Sequence, residues 1–414
     1  MSSYVGAGQN PQYILPFQRE AIPSSFKSNL APRPLNCSLT TVVTPATSGS
    51  ANANGLSTIQ VPLGNGAYMV NPYLRFKLGV TAGGNASTFT FKGACQSATA
   101  LIASYQTTVN STIVDNITNC WQVYDSTLAH GTSADWLAKD ATVLMGAGQT
   151  TTQSAGGVSN DTYVVPLLGL LGAQQSLPLY LLSGILQINI NWNSIAGSVA
   201  SANLDAGAVF TFSEVSLVYD RISVESDFIS KMRADMMASN AKYIFNYTNY
   251  QNVTAPTSAG QITVNTGLNV SSLRGVVATQ VLTADLTTLA NNGYSLRNGL
   301  SAFVVTLDGR ILNNSQFDAV NAPAVAFAEL QKCYNKVFDA SVTDISTKAT
   351  YLTQSFAAGV SASRVAEALS FSGSPASVVG VQATTSAANY TLYLIFISDY
   401  SLIISSDGAI DLVR

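Results

Sequence analysis

The run TYVVPLLGLLGAQQSLPLYLLSGILQININWN, Thr162 to Asn193, decides the fold. It lies in an uncharged stretch from Thr162 to Leu204, between Asp161 and Asp205. A helix that crosses a bilayer needs about 20 continuous apolar residues, and Val164 to Leu186 has that length. However, Pro166 and Pro178 interrupt it and Gln174-Gln175-Ser176 sits at its centre. Each proline removes a helical hydrogen bond and clashes with the preceding turn. The segment that follows alternates Leu186, Ile188, Ile190 and Trp192 with Gln187, Asn189, Asn191 and Asn193. That is period two, a strand with one buried face. The stretch is therefore expected to be strand, apolar loop, strand. The loop would leave Leu170, Leu171, Leu177, Leu179 and Leu181 at the surface of a lone sandwich, and exposed apolar area of that extent marks an interface. These five leucines are the candidate intersubunit contacts. The competing possibility is that the loop folds back over its own core.

Outward from this stretch, most of the chain keeps the period of strands. STIQVPLGNGAYMVNPYLRFKLGV alternates Ile59, Val61 and Leu63 and then turns at Asn65-Gly66, a dipeptide suited to a two-residue hairpin. Asp308-Gly309 and Asp407-Gly408 repeat the device. AVFTFSEVSLVYDRISV and NYTLYLIFISDYSLIIS are long, aromatic and β-branched, as central sandwich strands are. Three segments read as helix. TSADWLAKDATVLMG has Thr132 or Ser133 as its cap, Trp136, Val143 and Leu144 on one side, and Gly146 as its stop. NAPAVAFAELQKCYNKVF opens on Pro323 and spaces Phe327, Leu330, Tyr334 and Val337 by three and four. ESDFISKMRADMMASN repeats Phe228, Met232 and Met236, with Glu225 and Asp227 at its positive end.

The order of these elements repeats. A first strand near Cys37 is followed by a helix about a hundred residues on. A first strand near Lys242 is followed by one about eighty residues on. Each half closes on a long aromatic strand, ending near Val224 and Ile404, and the Glu225–Asn240 helix falls between the halves. At 414 residues the chain has room for two domains of roughly 200 residues.

Only 10% of residues are charged, against about 25% in an average soluble protein, and mean hydropathy is +0.23. Ala, Ser, Thr, Asn and Gly suit polar, close-packed interfaces, so composition favours a subunit whose surface is covered by copies of itself. A net charge of −3, with only Arg19, Lys27 and Arg33 against Glu20 in the first 36 residues, argues against a nucleic-acid-neutralising arm and against sequence-specific nucleic-acid binding. The cysteines Cys37, Cys95, Cys120 and Cys333 are scattered without a CxxC pair, so free buried thiols are expected and a metal site is not. MSSYVGAGQNPQYILPF has neither the basic nor the apolar region of a secretion signal. Sequons such as Asn110, Asn116, Asn252 and Asn269 are explained by a chain full of Asn, Ser and Thr.

This order of elements resembles the double jelly-roll major capsid proteins of the tectivirus–adenovirus lineage of tailless icosahedral double-stranded DNA viruses. Three segments carry the resemblance, which spans roughly Leu35 to Arg414. VVPLLGLLGAQQSLPLYLLSGILQININ is similar to the strand, long loop and strand near the end of the first roll. FTFSEVSLVYDRISVESDFISKMRADMM resembles the last strand of that roll running into the inter-domain helix. LSAFVVTLDGRILNN with VAFAELQKCYNKVFD resembles the second roll's hairpin and flanking helix. The resemblance implies an all-β chain of two consecutive eight-stranded jelly-roll sandwiches with short flanking helices and a helical linker. Its divisions would be an N-terminal arm (1–36), a first roll (37–224), a linker (225–241) and a second roll (242–414). It further implies a homotrimer of pseudo-hexagonal outline, packed against neighbouring trimers, penton and minor capsid proteins in a virion shell. An internal membrane near the N-terminal arm is a partner in many members of the family. There are no catalytic residues to carry over.

The residues themselves hold little chemistry. His130 stands alone as the single histidine and is expected in a turn, without the partners that a general base or a metal site needs. Gly64-Asn65-Gly66 and Gly169 to Gly172 do not complete a phosphate-binding loop. Asp220, Glu225 and Asp227 form a loose carboxylate group, and a helix N-terminus accounts for the last two. Asp308, Asn313 and Asn314 could ligate calcium, but Asp-Gly turn chemistry explains Asp308. No enzyme, cofactor or metal is expected. The main alternative is a β-sandwich adhesin or lectin-like surface or spike protein, with exposed loop aromatics and a low-order state. A single jelly-roll coat protein of an RNA virus would carry a basic arm, absent here.

Overall fold

The structure is a computed structural model that describes residues 37–63, 67–81, 86–153, 158–173, 175–205, 207–312, 318–334, 347–363 and 373–414. The N-terminal arm, the Asn65-Gly66 turn, Asn313, Asn314 and Val337 lie outside the described residues. The first half runs β1 (Cys37–Pro45), β2 (Ser50–Asn52), β3 (Leu56–Val61), β4 (Ala67–Thr81), β5 (Ser87–Phe91), β6 (Ile102–Val109) and β7 (Thr112–Ile117). It continues through β8 (Thr151–Gln153), β9 (Val158–Pro166), β10 (Leu177–Pro178), β11 (Leu186–Trp192), β12 (Val199–Ala200) and β13 (Val209–Val224). Its helices are α1 (Cys120–Gly131), α2 (Ala134–Ala138), α3 (Asp140–Met145) and α4 (Ile195–Ser198). The linker helix α5 spans Ser226–Ser239.

The second half has β14 (Tyr243–Pro256), β15 (Gly260–Leu282), β16 (Ala302–Leu307), β17 (Arg310–Ile311), β18 (Ala357–Ser361), β19 (Ser374–Thr385), β20 (Tyr390–Ile404) and β21 (Ile410–Val413). Helices α6 (Pro323–Cys333) and α7 (Lys348–Thr353) lie between β17 and β18.

Each half is a jelly roll, and the two share one plan. In the first, β1, β13 and β4 pair in that order, with β9 and β10 on the far edge of β4. The facing sheet is β3-β11-β6-β7. In the second, β14, β20 and the end of β15 pair in that order, with β18 on the far edge. Its facing sheet is the start of β15, then β19, β16 and β17. In both halves the first strand lies antiparallel to the last long one, Cys37 opposite Val224 and Tyr243 opposite Ile404. The fold is thus all-β, two jelly rolls in tandem, with helices at their flanks.

The alternation of the opening stretch survives in three dimensions. Leu186, Ile188, Ile190 and Trp192 are buried, while Gln187, Asn189 and Asn191 are not fully covered. In the core of the first roll, Trp192 stacks on Phe212 of β13 at 3.9 Å and meets Phe76 of β4 edge-on at 4.9 Å. Its indole N–H donates to Ser57 Oγ of β3 at 2.9 Å. One side chain from β11 therefore ties both sheets together. In the β16–β17 hairpin, Asp308 and Gly309 both take positive φ, 49° and 80°, as a two-residue turn of this hand requires. The Asp308 carboxylate accepts from the Ser377 and Val378 backbone N–H groups, so its oxygens serve β19.

The helices depart from expectation. The segment read as one helix from Thr132 breaks at Lys139 into α2 and α3. Ser133 caps α2, accepting from the Trp136 N–H at 3.2 Å, and Gly146 ends α3 in the left-handed conformation. The buried face is Leu137, Ala141 and Met145, while Val143 is 82% exposed, so the apolar side assigned from the sequence is the wrong one. Helix α1 was not foreseen. Its residues Cys120 to Ser126 are all buried, and a helix covered on every side shows no amphipathic period. His130 lies in its last turn rather than in a loop, buried, with Nε2 2.8 Å from the Ser355 carbonyl. All four cysteines are free, but Cys37 is exposed. Among the described residues, no helix is long and apolar enough to cross a membrane.

Trp192→Ala should cost the first roll about 3–5 kcal/mol, the usual loss for a buried aromatic. Chemical denaturation checks this, and a loss below about 1 kcal/mol would contradict the bridging role.

Candidate functional site

The candidate contact leucines come together, but inside their own chain. Leu170, Leu171, Leu177, Leu179 and Leu181 are each no more than 2% exposed. Their side chains are already covered within the single chain, the arrangement expected if the loop folds back over its own core. Four local devices hold the loop down. Leu177 and Pro178 pair with Met69 and Tyr68 of β4. The Tyr180 hydroxyl meets that of Tyr68 at 2.9 Å and the Met232 sulfur of α5 at 3.7 Å, while Arg233 of α5 donates to the Tyr180 carbonyl. Ser183 Oγ donates to the Gly408 carbonyl in the turn between β20 and β21, at 2.8 Å. The loop thus binds the first roll to the linker helix and the second roll. Tyr180, which joins β4 to the linker helix through its hydroxyl and carbonyl, was overlooked because it reads in sequence as another apolar loop residue.

The fourth device is Asp115 of β7. Its carboxylate accepts from the Leu170 N–H at 2.7 Å, and only 1% of the residue is exposed. Gly169 takes φ of +67°, and a Cβ there would lie 2.6 Å from the carboxyl carbon, so the glycine admits both the turn and the acid. Burial pushes the Asp115 carboxyl up from 3.8 to about 7, with the Leu170 N–H pulling the other way. Between those values the folded chain holds a proton that the unfolded chain has lost. The stabilising contribution of this group is complete below about pH 4 and disappears as pH rises through about 7.

Around this loop runs a seam between the rolls. The Tyr247 hydroxyl of β14 donates to the Val114 carbonyl of β7 at 2.9 Å. A cleft of about 370 Å³ separates Leu167 to Ala173 from β14 and the ion pair of half-buried Arg274 with buried Asp399, which also accepts from Ser272. Helix α1 supplies a second contact. Trp121 packs edge-on against Tyr393 at 6.1 Å, Thr279 donates to Gln122, and the Ser126 and Tyr334 hydroxyls meet at 2.9 Å.

Lys92 supplies the third contact, and nothing in the sequence marked it. Only 2% exposed, it donates through Nζ to the carbonyls of Ala196 and Thr288, at 2.5 and 2.7 Å, and to that of Asp285. Burial pulls its ammonium down to about 8, against the pull of the nearby Asp285 charge.

These groups hold the rolls together. Asp220 accepts from Thr41, Glu225 and Asp227 sit at the start of α5, and the three do not converge on a ligand. Among the described residues, no group of three or more His, Cys, Asp or Glu side chains could hold a metal ion.

No family model matches the chain, and no curated protein matches it. Solved structures do. PBCV-1 VP54 superposes with a TM-score of 0.64 at 13% identity, covering 94% of this chain and 99% of its own. The Faustovirus major capsid protein gives 0.59 at 9% identity, covering 91% and 92%. The mavirus major capsid protein gives 0.52 at 12% identity, covering 99% and 96%.

Two variants test the seam. Asp115→Asn, which mimics the neutral acid, should remove the part of the wild-type stability loss that arises between about pH 4 and 7; parallel urea-stability profiles for the two proteins would refute the assignment. Lys92→Met should cost about 1–3 kcal/mol for each carbonyl left dry, and thermal unfolding should then split into separate transitions for the two rolls. With nearly the whole chain matched and both rolls traced strand by strand, the protein has the double jelly-roll fold of these viral major capsid proteins.

Proposed function

We propose that the chain is a major capsid protein that self-assembles into trimers of pseudo-hexagonal outline and, through them, into an icosahedral virion shell. The observation that carries this reading is full-length agreement with the fold of capsid proteins in a chain with only 10% charged residues. A sandwich so poor in charge is suited to a surface covered by neighbours, and obligate assemblies of this kind bury several thousand Å². Its divisions follow as an arm (1–36), rolls over 37–224 and 242–414, and a linker over 225–241. Neighbouring trimers, penton and minor capsid proteins are its partners, with an internal membrane facing the arm where the virion has one. Its work is structural rather than enzymatic, and its place is the capsid.

A specific observation disfavours the adhesin or spike alternative. That alternative calls for exposed aromatics in loops, yet among the described residues the exposed large hydrophobic side chains are all aliphatic. Light scattering on purified full-length protein should return three times the chain mass, and electron images should show particles of hexagonal outline. A monomer at all concentrations would refute the proposal.

A further inference from the structure

Strand β1 is the most exposed part of the first roll. Its nine residues, CSLTTVVTP, carry no charge, and β13 pairs with one edge only. Leu39 is 68% exposed and Val43 46%. A long, uncharged, open edge strand is a liability that natural proteins cover or protect.

The second roll shows what covers such a strand. Aligning the two first strands on their end pairs, Cys37 with Val224 and Tyr243 with Ile404, sets Leu39 against Phe245, Thr41 against Tyr247 and Val43 against Asn249. Phe245, Tyr247 and Asn249 are buried, at 1%, 5% and 3% exposure. Their end of β14 lies against the first roll, at β7 and the Gly169–Gly172 turn, where Tyr247 bonds Val114. So the first strand of one roll docks on the last strand of the other roll's facing sheet. This contact is heterologous: its two sides differ, and each chain uses one side of each kind internally. One unmatched copy of each side is left over. These are β1 and β17, which occupies the same end position in the second roll as β7 in the first, and whose Ile311 is 63% exposed.

We infer that β1 of one copy is covered by the β16–β17 end of the second roll of another copy, in the same manner as β14 on β7. This rests on the self-assembly reading and names its surface. Heterologous contacts close into a ring when the rotation permits, and repeating the internal seam at three such junctions makes a ring of six rolls. The leucine loop takes no part, because its chain already covers it.

The test uses full-length protein in a Cys37→Ser background, which removes the exposed native thiol. Leu39→Cys combined with Ile311→Cys should form disulfide-linked dimers and trimers on mild oxidation, and neither single variant should form the ladder. Separately, Leu39→Asp with Val43→Asp should convert the trimer to monomer with an unchanged circular dichroism spectrum. If the wild type is trimeric, no ladder forms and the aspartate variant stays trimeric, the inference is overturned while the assembly reading stands. In that case β1 is covered otherwise, for instance by residues 1–36. A monomeric wild type would instead overturn the assembly reading, and the inference with it.

Discussion

The structure depends on two strands, β13 and β20, each held on both sides by partners that are far away in sequence. β13 lies between β1 and β4, and β20 between β14 and β15. In each half the first strand has no strand partner among the described residues until the last long strand has been made. About 190 residues' worth of chain in the first half, and somewhat less in the second, must therefore be held close before the sheet can close, an order that makes jelly rolls slow to fold. The aromatic bridge from Trp192 to Phe212 fixes β11 against β13, so closing one sheet also locks the other. Local propensity cannot do this work. β1 alone is uncharged and mostly exposed, and has no helical or hairpin alternative of its own.

The seam between the rolls is fastened differently. Inside each roll the contacts are apolar and aromatic. Between rolls they are directional: Lys92 on three carbonyls, Tyr247 on Val114, Thr279 on Gln122, Tyr334 with Ser126, and His130 at Ser355. A buried ammonium is costly to desolvate, and it is tolerated only where its donors are used. Such contacts add little net attraction but penalise every other angle between the rolls, because a misaligned roll leaves the ammonium or the carbonyls dry. Such precision suits the proposed assembly, in which one roll-to-roll geometry would be repeated around a ring.

How much of this was legible in the sequence varies with the range of the interaction. Leu186 to Trp192 and the Asp308-Gly309 turn could be read because their signals lie within a few residues: alternation in one, positive φ in the other. The Pro323 start of α6 and the capping of α2 by Ser133 were visible for the same reason. The intrachain cover of the leucine loop was not legible because what meets it, Tyr68 of β4 and Met232 of α5 at Tyr180, lies about a hundred residues before it and about fifty after it. Apolarity said that these leucines would be buried, and it could not say by what. Helix α1 was missed because its burial is complete, which erases the period that identifies a helix. Lys92 and Asp115 were missed because a lone charge in a polar strand looks solvated until the fold buries it.

The faint likeness between the halves has a physical source in the same scheme. In the first roll, β3 and β4 are separate strands that serve the two sheets. In the second, a single strand of 23 residues, β15, serves both: it pairs with β19 from Gly260 to Leu273 and with β20 from Leu273 to Leu282, and its register shifts around Val270 and Leu273. Where the first roll has two strands, β3 ending at Val61 and β4 beginning at Ala67, the second has a bend in a continuous strand. Residues that serve a turn and residues that serve a bend answer to different constraints, so sequence likeness is lost there while the order of strands is kept. What the halves must keep in common is the end pairing of first and last strands, because that pairing sets where the open edge of each roll lies. One open edge, that of β14, is closed within the chain, and the other, that of β1, is left facing outward. Two halves that keep one strand order but cover only one of two equivalent edges leave the surface on which the proposed assembly with a second copy rests.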